Sequence, residues 1–199
     1  MRYLPLILGV LACGPPHSAP IEVAATPVEI GPPDYDRHDW GSWEDADGDC
    51  QDTRQEVLIQ ESLLPVTFAD DKSCKVASGE WHDPYSGETF VDPSKLDIDH
   101  VVPLKAAHDA GGFAWSSERK AEYSNYLSDP LHLIAVSASQ NRSKGSKSPV
   151  EWLPENEAFH CGYVKAWISI KLRWGLEFSP DESRGLLRLV TVKCPSKDL

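Results

Sequence analysis

Apolar and polar residues alternate through most of Leu96-Asp97-Ile98-Asp99-His100-Val101-Val102, the period of two expected of a half-buried strand. Pro103 follows, suited to the first turn of a helix; helix formers over 104–108 and the stop Gly111-Gly112 frame that helix. Upstream, Val57, Leu58 and Leu63 predict a short helix within 52–64. Within 81–92, Asp83-Pro84-Tyr85-Ser86-Gly87 stands between aromatic and β-branched residues and predicts a turn joining two short strands. Downstream, 116–127 reads as a helix opened by a cap-like Ser116, and 132–136 as a short apolar strand. The polar, basic stretch 137–148 follows as loop or helix. Phe159, Tyr163, Val164, Trp167, Ile168 and Leu172 share one helical face over 157–174, closed by Gly175. Leu186, Leu187, Leu189 and Val190 predict a last amphipathic segment before Cys194.

A chain of 199 residues suits one ordinary domain once any targeting segment is set aside. Hydrophobic content of 41% is too high for a disordered chain, and 16 Pro with 13 Gly predict many turns. The start is different in kind. Met1-Arg2-Tyr3, an apolar run over 4–11 and Ala12-Cys13-Gly14 have the charged start, greasy core and small-residue end of an export signal, placed at 1–12. Val10-Leu11-Ala12-Cys13 resembles a bacterial lipobox, which would make Cys13 a lipidation site and the N-terminal membrane anchor. Residues 13–33, rich in proline, then form an extended stalk, and 34–199 the domain. Export places the protein in the cell envelope or outside the cell.

Apart from Cys13, four cysteines remain, and four allow three pairings in an oxidising compartment. The pairing Cys50–Cys74 with Cys161–Cys194 is preferred, because each closes a local loop on its own side of the central segment. A four-cysteine zinc site lacks the close pairs it needs. The formal charge of -12 argues against a broad basic grip on nucleic acid. Much of that acidity lies in 34–52, however, and Arg142, Lys144 and Lys147 form a small basic loop elsewhere.

Cutting a phosphodiester needs a positioned nucleophile and relief of phosphate charge, which one hard metal ion and a nearby base supply. Asp99 and His100 offer a ligand and a base side by side. Adjacent side chains of a regular strand point to opposite faces, so both serve one site only where the strand twists or ends; Val101-Val102-Pro103 supplies that ending. Neutral His100 would then deprotonate water, its other ring nitrogen held by a carbonyl. Asp97-Ile98-Asp99-His100-Val101-Val102-Pro103-Leu104 and Asn141-Arg142-Ser143-Lys144-Gly145 resemble the two halves of the HNH motif. In particular the chain is similar to secreted bacterial HNH endonucleases related to the GmrSD C-terminal nuclease domain. The similarity extends to Asp52-Thr53-Arg54, to Trp81-His82-Asp83-Pro84-Tyr85-Ser86-Gly87 and to Pro149-Val150-Glu151-Trp152-Leu153-Pro154.

This resemblance implies an α+β fold with a small ββα-metal (HNH/His-Me finger) core surrounded by helices, and an endonuclease acting on nucleic acid, DNA before RNA, without sequence specificity and as a monomer. It implies Asp99 and Asn141 as metal ligands and His100 as general base, with His132 orienting His100 or a water. Asn141, where many members carry a histidine ligand, favours Mg²⁺ or Mn²⁺ over tightly held zinc. Arg142, Lys144 and Lys147 are the expected phosphate contacts, and the fork of Arg54 suits the same task, although a salt bridge would occupy it as well. Asp45, Asp47 and Asp49, with Glu56 at the twelfth place, resemble half of an EF-hand loop; Cys50 stands where such a loop wants glycine, so a structural Ca²⁺ there would lie outside the EF-hand fold. From that run and the acidic charge comes the rival reading, a Ca²⁺-stabilised cell-envelope lipoprotein with an inactive nuclease fold that serves as a binding module. A purely structural envelope protein, with Asp99, His100 and Asn141 far apart, is the other.

Overall fold

In the computed structural model, residues 33–194 are described; the expected export signal at 1–12, Cys13 and the stalk up to residue 32 lie outside them. The acidic segment opens with a 3-10 turn at Arg37–Trp40, capped by the Asp36 carboxylate, which accepts from the His38 amide. It then runs without regular structure to Asp52. The Asp52 side chain accepts from the Gln55 amide and so starts α1 (Thr53–Glu61), satisfying one of the donors that a helix start leaves open. β1 (Thr67–Phe68) and β2 (Val76–Ser78) pair antiparallel, and so do β3 (Trp81–His82) and β4 (Thr89–Phe90) across the turn expected at 83–87. The β1–β2 pair has no sequence signature, since two or three residues are too few to show a period.

β5 (Leu96–His100) leads through Val101-Val102-Pro103 into α2 (Leu104–Asp109), and Ser116 caps α3 (Ser117–Ser124) through the Arg119 amide. β6 (Leu133–Ser137) pairs antiparallel with β5, Asp99 opposite Ile134 and His100 opposite Leu133. Without a break the chain continues into α4 (Ala138–Lys144), then α5 (His160–Trp174) and α6 (Pro180–Lys193). Gly175 takes the left-handed backbone (φ 67°) that lets the chain leave α5. Among the described residues three two-stranded sheets and six α-helices make a mixed α+β domain, with one strand pair running directly into a helix.

That strand pair stands between two apolar clusters. Leu133 and Ala135 of β6 pack with Val57, Leu58, Trp81, Leu96 and Ile98, while Ile134 and Val136 pack with Val101, Tyr123, Tyr163 and Trp167. A strand buried on both faces needs the continuous apolar run found there. The β6 edge is closed by α1, whose Glu61 carboxylate accepts from the Ala135 amide at 2.8 Å. Disulfides join Cys50 to Cys74 and Cys161 to Cys194, the pairing expected from the loop lengths. The second ties the first turn of α5 to the end of α6. Among the described residues no helix is long and apolar enough to cross a membrane.

Candidate active site

Strand alternation sends Asp97 and Asp99 to the face of β5 on which α4 lies, and α4 answers with Asn141 and Lys144, three residues apart on one side of the helix. Asn141 Nδ2 donates to Asp97 Oδ2 at 3.2 Å. A carboxylate only accepts, so the amide nitrogen faces Asp97 and Oδ1 is left as the outward group. Lys144 Nζ donates to Asp99 Oδ1 and to the His100 carbonyl, both at 2.9 Å, and is fully buried. The other Asp99 oxygen accepts from the Tyr85 hydroxyl at 2.7 Å. Tyr85 arrives there because the buried Asp83 carboxylate accepts from the Tyr85 and Ser137 amides, pinning the 83–87 turn to the end of β6. Burial pushes the Asp99 carboxyl up and the Lys144 ammonium down, while each supplies the other's opposing charge.

His100 is the last residue of β5 and turns the opposite way. Its Nε2 lies 3.0 Å from the Ser124 carbonyl, which ends α3. Since that oxygen accepts only, Nε2 carries the proton and Nδ1 the lone pair. The ring is sandwiched between Trp43 (centroids 5.4 Å apart, planes at 10°) and Tyr123 (6.1 Å, 6°). Burial holds the imidazole well below the ordinary histidine range, so it stays neutral. Where β5 ends, Asp99, His100 and Asn141 line one open cleft of about 250 Å³, together with Arg37, Lys105 and Gly145. A larger cavity of about 440 Å³ surrounds the Lys171–Glu182 ion pair and holds none of the candidate residues.

The remaining candidates fall elsewhere. Lys144, expected as a phosphate contact, is instead enclosed against Asp99 with no exposed surface. Arg54 donates Nη2 to the carbonyls of Pro93 and Leu96 and lines a separate cleft with Lys75 and Asp92, so it ties α1 to the chain entering β5 rather than reaching the cleft of His100. His132 is buried behind His100, edge-on at 6.2 Å, with Nε2 against the Tyr123 carbonyl at 2.7 Å; burial lowers its pKa to about 4. It packs against His100 and does not line the cleft. Arg142 is exposed, 4.0 Å from Asp97, and Lys147 Nζ donates to the Ser143 carbonyl at the protein surface. Asp45, Asp47 and Asp49 cluster with ligand oxygens within 4.8 Å of one another. Tyr85, Asp97, Trp43 and Arg37 were not anticipated at the site. Only Asp97 had a readable signal, its place two residues before Asp99 on an alternating strand.

The residues around this cleft belong to a recognised class. Residues 52–189, more than half of the chain, match the family of GmrSD restriction endonucleases, C-terminal domain. The chain belongs to that family, which is of the HNH type. A protein of Arthroderma benhamiae, named an uncharacterized secreted protein, is 35% identical over 161 residues, covering 80% of this chain and 76% of its own. No solved structure matches the chain.

Proposed function

We propose that this chain is an exported metal-dependent endonuclease that hydrolyses the phosphodiester bonds of nucleic acid, DNA in preference to RNA. The observation that carries the reading is the meeting of Asp99, His100 and Asn141 on one cleft, with the His100 proton parked on Nε2 by the Ser124 carbonyl. The β5–β6 pair running into α4 supports a ββα-metal core. The donors suit a hard divalent cation: each Asp99 oxygen accepts one hydrogen bond and keeps a further lone pair, and Asn141 contributes an amide oxygen. An open cleft leaves room for the waters that Mg²⁺ or Mn²⁺ retains. Bound by Asp99 and Asn141, such an ion would relieve the charge on the scissile phosphate.

The chain's own groups do the rest. His100 Nδ1 takes the proton of the attacking water, and the flanking Trp43 and Tyr123 rings hold the imidazole in its plane. Lys144 and Tyr85 fix the Asp99 carboxylate, and Asp97 turns the Asn141 amide. Exposed Arg142 and Lys147 meet the phosphate backbone without reading bases. The residues at 1–12 and the secreted relative support export, and Cys13 is the proposed anchor if acylated. The enzyme acts as a monomer.

The purified chain is expected to degrade plasmid DNA with Mg²⁺ or Mn²⁺, to stop in EDTA, and to lose about 10²–10⁴-fold of its rate in His100→Ala. A fully active His100→Ala protein would sink the mechanism. The Asp45, Asp47 and Asp49 cluster supports a separate structural Ca²⁺. Millimolar Ca²⁺ should then raise the melting temperature of the wild type and not of Asp47→Asn. If Ca²⁺ stabilises the fold and no metal brings cleavage, the binding-module reading stands instead.

A further inference from the structure

The family match begins at residue 52, yet the segment before it reaches the cleft. That segment is fixed at several points. The Pro33 carbonyl lies 2.8 Å from His108 Nε2, and Trp40 is wholly buried against Trp115 and Tyr123. Asn125 then holds it from both sides, donating to the Ser42 carbonyl and accepting from the Glu44 amide. Between these anchors stands Arg37, exposed on its 3-10 turn and lining the cleft with Asp99, His100 and Asn141.

The cations around the cleft differ in what holds them. Lys105 is paired with Asp109 at 2.7 Å, Arg142 faces Asp97, and Lys144 is enclosed on Asp99. Arg37 gives one donor, Nη1, to the Gly41 carbonyl at 2.7 Å, which holds the side chain in place. Among the described residues no carboxylate lies within ion-pair distance of it, although Asp36 and Asp39 are near neighbours in the chain; Asp36 pairs with His38 instead. A guanidinium has five donors in a planar fork that fits two phosphate oxygens at once, so most of this fork remains free at the mouth of the cleft.

We propose that Arg37 is a phosphate-binding residue of the nuclease site, taking the non-bridging oxygens of a substrate phosphate in the cleft beside His100. The proposal rests on the nuclease reading and adds to the site a residue from outside the family-matched region.

The test uses the full chain and a fluorescein-labelled 20-mer DNA duplex, with binding followed by anisotropy in EDTA, where nothing is cut, across a salt series. Arg37→Gln is expected to weaken binding about tenfold and to lower the slope of log K against log salt by about one. Arg37→Lys keeps the charge without the fork and should keep the slope with an intermediate affinity. Arg188→Gln, an exposed cation on α6 outside the cleft, should bind as the wild type does. The proposal is overturned if Arg37→Gln binds within twofold of the wild type at an unchanged slope, or if Arg188→Gln loses as much. Should the glutamine variant melt early, Arg37→Lys decides, and a slope lowered by one would count against the role. A wild type that binds but cuts with no metal defeats the nuclease reading and leaves the Arg37 measurement standing. One that cuts, with Arg37→Gln binding unchanged, defeats only Arg37; one that neither binds nor cuts overturns both.

Discussion

Replacing Lys144 by methionine keeps most of the side-chain volume and removes the ammonium that bonds both Asp99 and the His100 carbonyl. Asp99 is 5% exposed, so its carboxylate would be left buried with Tyr85 as its one remaining donor. Removing one partner of a buried ion pair costs about 3–5 kcal/mol, a large part of the roughly 5–15 kcal/mol by which domains are stable. At about 2–4 °C per kcal/mol for a domain of this size, the melting temperature should fall by about 6–20 °C. The loss has a pH signature. With Lys144 gone, the folded-state pKa of Asp99, already raised by burial, rises further above its unfolded value, so the native state holds the proton more tightly. Stability then declines as pH rises through the interval between the two values, and the deficit against wild type is smaller at pH 4 than at pH 8. Asp99→Asn in the same chain removes the stranded charge and should restore part of the loss, a coupling that a double-mutant cycle reads directly. The assay is thermal unfolding followed by circular dichroism at both pH values. Lys144→Met melting within about 1 °C of wild type would refute the reasoning and return Lys144 to the solvated phosphate contact that its basic loop suggested.

Glu61 gives a second pH test. Burial raises its pKa to about 7, opposed by the Ala135 amide it accepts from, so the native state keeps a proton that the unfolded chain releases near 4.5. Stability therefore falls as pH rises from about 4.5 to about 7 and is level above, by up to about 3 kcal/mol before allowance for its partial exposure. Glu61→Gln should remove that decline, matching the wild type near pH 5 and exceeding it at pH 8; parallel melting curves against pH would contradict this. Trp43→Ala takes away the ring stacked on His100 and should lower kcat on the order of ten- to a hundredfold while KM stays close to wild type. An unchanged kcat would show that Tyr123 and the Ser124 carbonyl hold the base without it.

Much of the scaffold was legible because its signals are local. The alternation of β5, the proline before α2, the cap Ser116, and the one-sided apolar pattern of α5 each depend on neighbours a few residues away. The two disulfides followed from loop closure in the same way. The adjacency of Asp99 and His100, with the strand ending just beyond them, was written in the chain as well. What surrounds those residues was not. Lys144 sits in a polar, basic run that reads as a solvated loop, and only the meeting of α4 with β5, 45 residues apart in sequence, encloses it. Arg54 carries a fork suited to phosphate, but the folded chain presents it with the carbonyls of Pro93 and Leu96 first. Tyr85 reaches Asp99, Trp43 the His100 ring and Arg37 the cleft itself, from segments whose own patterns describe a turn and an acidic strap. By itself, then, the sequence determined the longer elements and the chemical pair at the end of a strand, because backbone periodicity and capping are short-range. Only the tertiary structure decided which cations are buried, which ring covers His100 and which carbonyl fixes its proton, because a side chain's charge state and reach depend on what distant segments exclude water from.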